Sequence, residues 1–426
     1  MTTAPSPFTS LGLITHLARA AHDRGYAEPT AIQVAAIPPA LQGRDIQACA
    51  HTGSGKTAAF ALPLLQHVQA TPYLLPRKSH ALVLVPTREL AAQVGDTLRA
   101  LAQHLPTPLK VATLFGGVSL NPQMMALRGG AEVVVATPGR LLDLVAHNAL
   151  HLNAVSLLVL DEADRLLAVG SAGFADELAR VLVLLPARRQ NLLFSATFPP
   201  AVQALVQALL HEPVRIDVAP LTAQEQQPAI TQRAIHVDAA QRTPLLRHLI
   251  EHEEQWTRVL VFVATRYASE HVAGKLAAKG IAAAALHGEL SQGARTQVLA
   301  DFKAGRLQVL VATDVAARGI DIRPLPVVLN YDLPRSAVDH LHRIGRTGRA
   351  GASGLAVSFI STDVPGQEAH FRLIEKRQGQ RVMREQVAGF EPLETVASAV
   401  VEGGVKGKRK SKKDRLREAA GRGGRS

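Results

Sequence analysis

Three short stretches carry side chains that could do phosphate chemistry. Gly53-Ser54-Gly55-Lys56-Thr57 lies between an apolar run ending at Ala50 and a run with helical spacing from Lys56 onward. A strand, a glycine loop and a helix in that order cradle an anion, because the loop's N–H groups and the helix N-terminus converge on it. In such a cradle Lys56 reaches the outer phosphates of a nucleoside triphosphate and the Thr57 hydroxyl ligates Mg2+. His51 and Thr52 complete the loop, and Ala50 stands where the strict pattern has its first glycine. The second stretch is Asp161-Glu162-Ala163-Asp164, delivered by the apolar run 157–160. Adjacent acids alone would open a solvated helix. Downstream of a phosphate loop, Asp161 suits a metal-holding carboxylate and Glu162 a group that orients water. The third stretch is His342-Arg343-Ile344-Gly345-Arg346-Thr347-Gly348-Arg349. Arg346 and Arg349 lie three apart, so a helical turn would put both on one side, where guanidinium groups can neutralise a γ-phosphate. Arg343 could join them or belong to a basic patch.

Positioning these groups takes two α/β units. Strand-like runs fall at 45–50, 81–85, 111–115, 132–136, 157–160 and 191–195, with helical runs at 88–104 and 139–147. The pattern restarts with strands at 259–263, 282–286, 309–312, 327–330 and 356–360 and helices at 268–279, 292–304 and 337–344. Alternation of this kind predicts parallel sheets flanked by helices. The polar stretch 213–232, rich in Gln and Pro, reads as a linker. The expected division is a first domain at 1–218, a linker at 219–231, a second domain at 232–378, an extension at 379–402 and a tail at 403–426.

Composition narrows the class. A chain of 426 residues exceeds one core. No run has the length of a membrane span, and the N-terminus lacks the order of a signal peptide. The single cysteine, Cys49, excludes an internal disulfide and any zinc spacing, which fits a cytoplasmic location. Residues 403–426 hold ten Lys/Arg against two acids, a net +8 of the chain's +12. That tail has too few apolar residues to bury and is expected to be disordered.

On these motifs, in this order, the chain resembles the DEAD-box family of ATP-dependent RNA helicases over roughly residues 6–378, and its central segments look most like the bacterial RhlE-type branch. The resemblance implies two tandem RecA-like domains and ATP with Mg2+ as cofactors. It places adenine recognition at the element from Gly25 to Gln33, with Thr30 and Gln33 in it, sets Phe8 and Tyr26 near the base or in the core, and assigns Asp321 to the ribose. Asp164, Ser195, Thr197 and His342 would couple the nucleotide to domain closure. RNA contacts carry over to Arg88, Gly116, Gly117, Thr137, Gly139 and Arg140 in the first domain. In the second they fall on Thr265, Arg266, Gly288, Gln292, Arg295, Thr313 and Arg318. These segments lack stacked aromatics, so the expected contact is with the sugar–phosphate backbone. Relative to the family, about two residues are inserted between Asp164 and Phe174. A monomer is expected, with proteins of ribosome assembly or RNA decay as partners. A DNA-directed translocase, or an RNA-binding scaffold that scarcely uses ATP, would share parts of this pattern.

Overall fold

A computed structural model describes residues 6–50, 53–168, 173–218, 230–254, 256–317, 325–348 and 353–393. Two seven-stranded sheets organise them. The first has the order β3-β4-β2-β5-β6-β1-β7, with β1 at Ile46–Cys49, β2 at Ala81–Leu84, β3 at Val111–Leu114, β4 at Val133–Ala136, β5 at Leu157–Leu160, β6 at Gln190–Ser195 and β7 at Val214–Asp217. The second has the order β10-β11-β9-β12-β13-β8-β14, with β8 at Ile230–Val237, β9 at Val259–Val263, β10 at Ala283–Leu286, β11 at Val309–Thr313, β12 at Val327–Asn330, β13 at Gly354–Ser361 and β14 at Arg384–Glu385. Every strand pairing among the described residues is parallel.

Parallel strands covered by helices on both faces must be apolar at every position, and the central strands are. Val83, Val135 and Val159 join one core of the first domain, while their neighbours Leu82, Val134 and Leu158 join the other. The strand period of two thus divides each run between two layers.

At the C-terminal edges of the strands, hydroxyl caps start the helices that matter. Thr87 accepts from Leu90 N, Thr265 from Ala268 N, Ser291 from Ala294 N and Ser336 from Asp339 N, at 3.1–3.2 Å. Each cap satisfies a backbone donor that the first turn leaves unpaired, worth about 1 kcal/mol.

The second domain extends beyond its expected bounds at both ends, while β7 lies within the expected first domain. β7 and β8 reach into the stretch read as a linker, whose 219–229 lies outside the described residues. The second domain also continues past 378. There β14 pairs with β8, Val382 is buried, and Val387 and Phe390 pack on the core. Arg384 anchors this extension through Glu368 and Glu375 at 2.8–3.2 Å, holding Glu368 down near a pKa of about 2 against the cost of its burial.

Packing of the helix Ala337–Ile344 on the helix Gln367–Gln378 encloses His340 edge-on to Phe371 at 5.9 Å. Gln378 Nε2 donates to Ala337 O at 3.2 Å and lies 3.0 Å from His340 Nδ1, so the ring nitrogen accepts. Burial, with the Arg343 charge added, pushes His340 down to about 4 from the usual 6.5. The unfolded chain therefore binds more protons than the folded one between those values. Stability is present above 6.5 and is lost as pH falls toward 4, by on the order of 3 kcal/mol. Thermal unfolding of a His340→Asn variant should show a smaller acid-side loss across this window. Parallel pH profiles for the two proteins would contradict the assignment.

Candidate nucleotide and RNA site

Lys56 opens the helix Lys56–Gln69 and is buried, and Gly53 and Gly55 take φ of +90° and +94°. Gly55 is required for a second reason, since a Cβ there would overlap Gln33 Nε2 and Thr30 Oγ1. Gln33 is committed to the protein on both ends. Its Oε1 accepts from Thr30 N at 3.0 Å, and its Nε2 donates to Gly55 O at 3.1 Å. An amide has two N–H groups and two lone pairs, so one donor and one acceptor remain for a base edge. Phe8 is wholly buried in the core and Tyr26 packs against the same cluster, so Phe8 is structural. Cys49 is half-buried, its Sγ 3.7 Å from Ala196 O.

β5 ends at the acids. Asp161 is buried, which raises its pKa to about 6 against the pull of the Lys56 ammonium. Its Oδ1 accepts from Glu162 N at 2.9 Å. Glu162 has φ +53°, a left-handed conformation that costs a non-glycine residue on the order of 1 kcal/mol. Arg165 Nη1 holds its carboxylate at 3.0 Å. Arg165 is a site residue the sequence reading missed, and only its spacing of three from Glu162 could have pointed to it. Asp164 is linked to the end of β6 and to the turn after it: its N–H donates to Ser195 Oγ at 3.2 Å, and Thr197 Oγ1 donates to its Oδ2 at 2.7 Å. The Ser195 and Thr197 hydroxyls thus read the position of the acidic turn. Residues 169–172 of the insertion lie outside the described residues; at its edges Phe174 N donates to Leu166 O at 2.7 Å.

In the second domain the helix ends at Ile344 and is capped by Gly345, so Arg346 lies beyond it. Arg346 sits in the following turn, and its carbonyl accepts from Leu325 N at 3.1 Å. Arg343 is no cross-cleft group. It is buried over the Phe262 ring and bound to Asp314 at 2.6 and 2.7 Å, to Asn330 Oδ1 at 3.0 Å and to Asp332 O at 2.7 Å. It braces β11, β12 and the helix behind Arg346. His342 and Arg346 line a cleft with Arg165 of the first domain. Burial lowers His342 to about 4, the Arg165 charge adds to that shift, and Asp164 and Glu162 oppose it. Groups of both domains therefore act on one ring at the seam.

The RNA-contact candidates divide. Gly116 and Gly288 leave open space where a Cβ would stand, Thr265 and Arg266 are exposed, and Thr313 is half-buried at the end of β11. Arg88 lies against Gly117, where a Cβ would overlap its guanidinium. Thr137 is buried as the N-cap of the helix Pro138–Ala146, with half-buried Gly139 in its first turn. Arg140 is buried and donates to Val118 O at 2.8 Å, next to the Gly116-Gly117 loop. Gln292, half-buried, opens the helix Gln292–Lys303. Arg295 has partners in both domains. It is buried, donates to His287 O at 3.1 Å and forms an ion pair with Glu89 of the first domain. No local pattern links Glu89 to a partner in the other domain. His51, Thr52, Arg318, Asp321 and Arg349 lie outside the described residues.

The Glu89–Arg295 pair joins the helices that carry RNA candidates of the two domains. Removing one partner of a buried pair costs about 3 kcal/mol, roughly 100-fold in an equilibrium. Arg295→Ala should lower the closed fraction reported by energy transfer between dyes on the two domains with nucleotide analogue and RNA present. The exchange Glu89→Arg with Arg295→Glu should restore part of it. Unchanged energy transfer in Arg295→Ala would remove the pair from closure.

Comparison with known proteins agrees with this geometry. Residues 30–205 match the DEAD/DEAH box helicase family and residues 241–351 the helicase conserved C-terminal domain. The ATP-dependent RNA helicase SrmB of Escherichia coli is 42% identical over 377 residues, covering 88% of this chain and 82% of that protein. DeaD of Mycobacterium tuberculosis is 42% identical over 389 residues, and the match spans 91% of this chain but 66% of DeaD. S. cerevisiae Dbp5 bound to RNA and ADP BeF3 superposes with a TM-score of 0.76 at 30% identity, covering 90% of this chain and 96% of that one. With two parallel α/β domains, a phosphate loop facing Asp161-Glu162-Ala163-Asp164, and His342 and Arg346 at their seam, the chain belongs to the DEAD-box family of ATP-dependent RNA helicases.

Proposed function

We propose that this protein hydrolyses ATP when RNA bridges its two domains, and that the closure opens short RNA duplexes locally or remodels RNA–protein complexes. The observation that carries the reading is the shared seam: Glu162, Asp164 and Arg165 on one side and His342 and Arg346 on the other act on one another. Lys56 binds the triphosphate at the helix N-terminus, where the dipole and loop N–H groups favour anions. Thr57 and Asp161 hold Mg2+. A hydroxyl and a buried carboxylate raised to about 6 are oxygen donors of the kind that ion takes. When bound, Mg2+ supplies charge neutralisation at the phosphate oxygens.

Glu162 orients the attacking water and takes its proton, with Arg165 fixing the carboxylate. Arg346 presents positive charge from the second domain only when the lobes meet. Asp164, Ser195 and Thr197 link the acidic turn to β6, so a change at the phosphate is felt by the chain leading toward the second domain. RNA runs over the glycine loops and helix N-termini at both sheet edges, chiefly through its backbone. The RhlE-type branch, the cytoplasmic setting, the monomeric state and partners in ribosome assembly or RNA decay belong to the same proposal.

Glu162→Gln should lower RNA-stimulated turnover by about 10²–10⁴ and leave ATP and RNA binding nearly intact. The check is steady-state ATPase beside equilibrium binding of both ligands. Full ATPase activity in the variant would take Glu162 out of the chemistry.

A further inference from the structure

The helix Arg266–Ala277 carries something that backbone recognition does not call for. Tyr267, two residues past the Thr265 cap, is 70% exposed. Its ring stacks on His271 one turn later, with centroids 5.4 Å apart and planes inclined by 17°. The core-facing side of this helix is supplied by Val272, Ala273 and Leu276, so the ring adds nothing to the interior. The same helix is tied twice to the loop after β10: Arg266 pairs with Glu289, and Glu270 lies 3.1 Å from His287. Gly288, between those two anchors, faces open space. The exposed ring pair therefore stands on the helix whose first turn and tethered loop carry the RNA candidates Thr265 and Gly288. Helical side chains lean toward the N-terminus, which carries the Tyr267 ring over that first turn.

We propose that Tyr267, backed by His271, is a stacking platform for one nucleobase of single-stranded RNA crossing the N-terminus of this helix. The proposal rests on the RNA-helicase reading and adds to it a subsite that touches a base face. Every base offers a π-face, so such a platform adds affinity without selecting sequence. The backing ring holds the tyrosine in one orientation before RNA arrives, which lowers the ordering cost of the contact. Arg266, engaged by Glu289, offsets the negative charge that would otherwise face an incoming strand.

The test is equilibrium binding of a short fluorescein-labelled oligoadenylate, and of the same strand made abasic, to the full chain with a non-hydrolysable ATP analogue. Tyr267→Ala should weaken oligoadenylate binding by about fivefold or more and leave abasic binding unchanged. Tyr267→Phe should bind oligoadenylate like the unmodified protein. Equal loss on both strands, or none on either, would overturn the platform and leave Tyr267 to another kind of partner. An unmodified protein that binds neither strand, with Arg88→Ala no different, would instead overturn the RNA reading beneath it.

Discussion

Electrostatic contact across the seam between two separately folded lobes is the constraint on which the molecule depends. One lobe offers the acidic turn Asp161-Glu162-Ala163-Asp164 with Arg165 folded back on it, and the other offers His342 and Arg346. Neither edge is self-sufficient. Asp161 is buried with its pKa raised, and Glu162 is held in a left-handed backbone that ordinary residues avoid. Such features persist only where the surrounding structure over-determines them. Here the surroundings are the Asp161–Glu162 backbone bond, the Arg165 pair and the Ser195 and Thr197 hydroxyls.

The second lobe makes the same investment by another route. Arg343 gathers Asp314, Asn330 and Asp332 around one buried guanidinium. That cluster fixes the end of the helix from which Arg346 emerges, while the next residue, Thr347, donates its hydroxyl to Leu325 O. A positive charge placed so firmly can stabilise a phosphate only when the lobes close. Glu89 and Arg295 make a second tie between the lobes, on helices that carry the proposed RNA contacts. Under the proposed function one tie serves the nucleotide and the other the RNA, which would give each ligand a share in the same closed state.

How much of this was legible depended on the kind of signal. The central strands could be read because burial on both faces forces continuous Val, Leu and Ala, as at Leu157–Leu160 and Val259–Val263. β7, β8 and β14 were not, because toward the edges of their sheets polar residues such as Arg215, Gln232 and Arg384 break the apolar run. The phosphate loop and the acidic turn could be read because their spacing is local, whereas Ser195 and Thr197 were singled out by the family resemblance, and their bonds to Asp164 span 31 and 33 residues. Which arginine turns inward could not. Arg140, Arg295 and Arg343 belong to motifs as basic as that of half-buried Arg88, and only the fold supplies Val118, Glu89 and Asp314 as their partners. A residue's type announces its chemistry, whereas its direction is set by strands distant in the chain.

The central claim is that nucleotide and RNA are bound by one closed state in which Arg346 faces the triphosphate. The most direct measurement is the affinity for a short single-stranded RNA with and without a non-hydrolysable ATP analogue, in the unmodified protein and in Arg346→Ala. The account predicts that the analogue tightens RNA binding by at least about fivefold and that Arg346→Ala removes this gain while leaving nucleotide-free RNA binding in place. An equal gain in both proteins would contradict it.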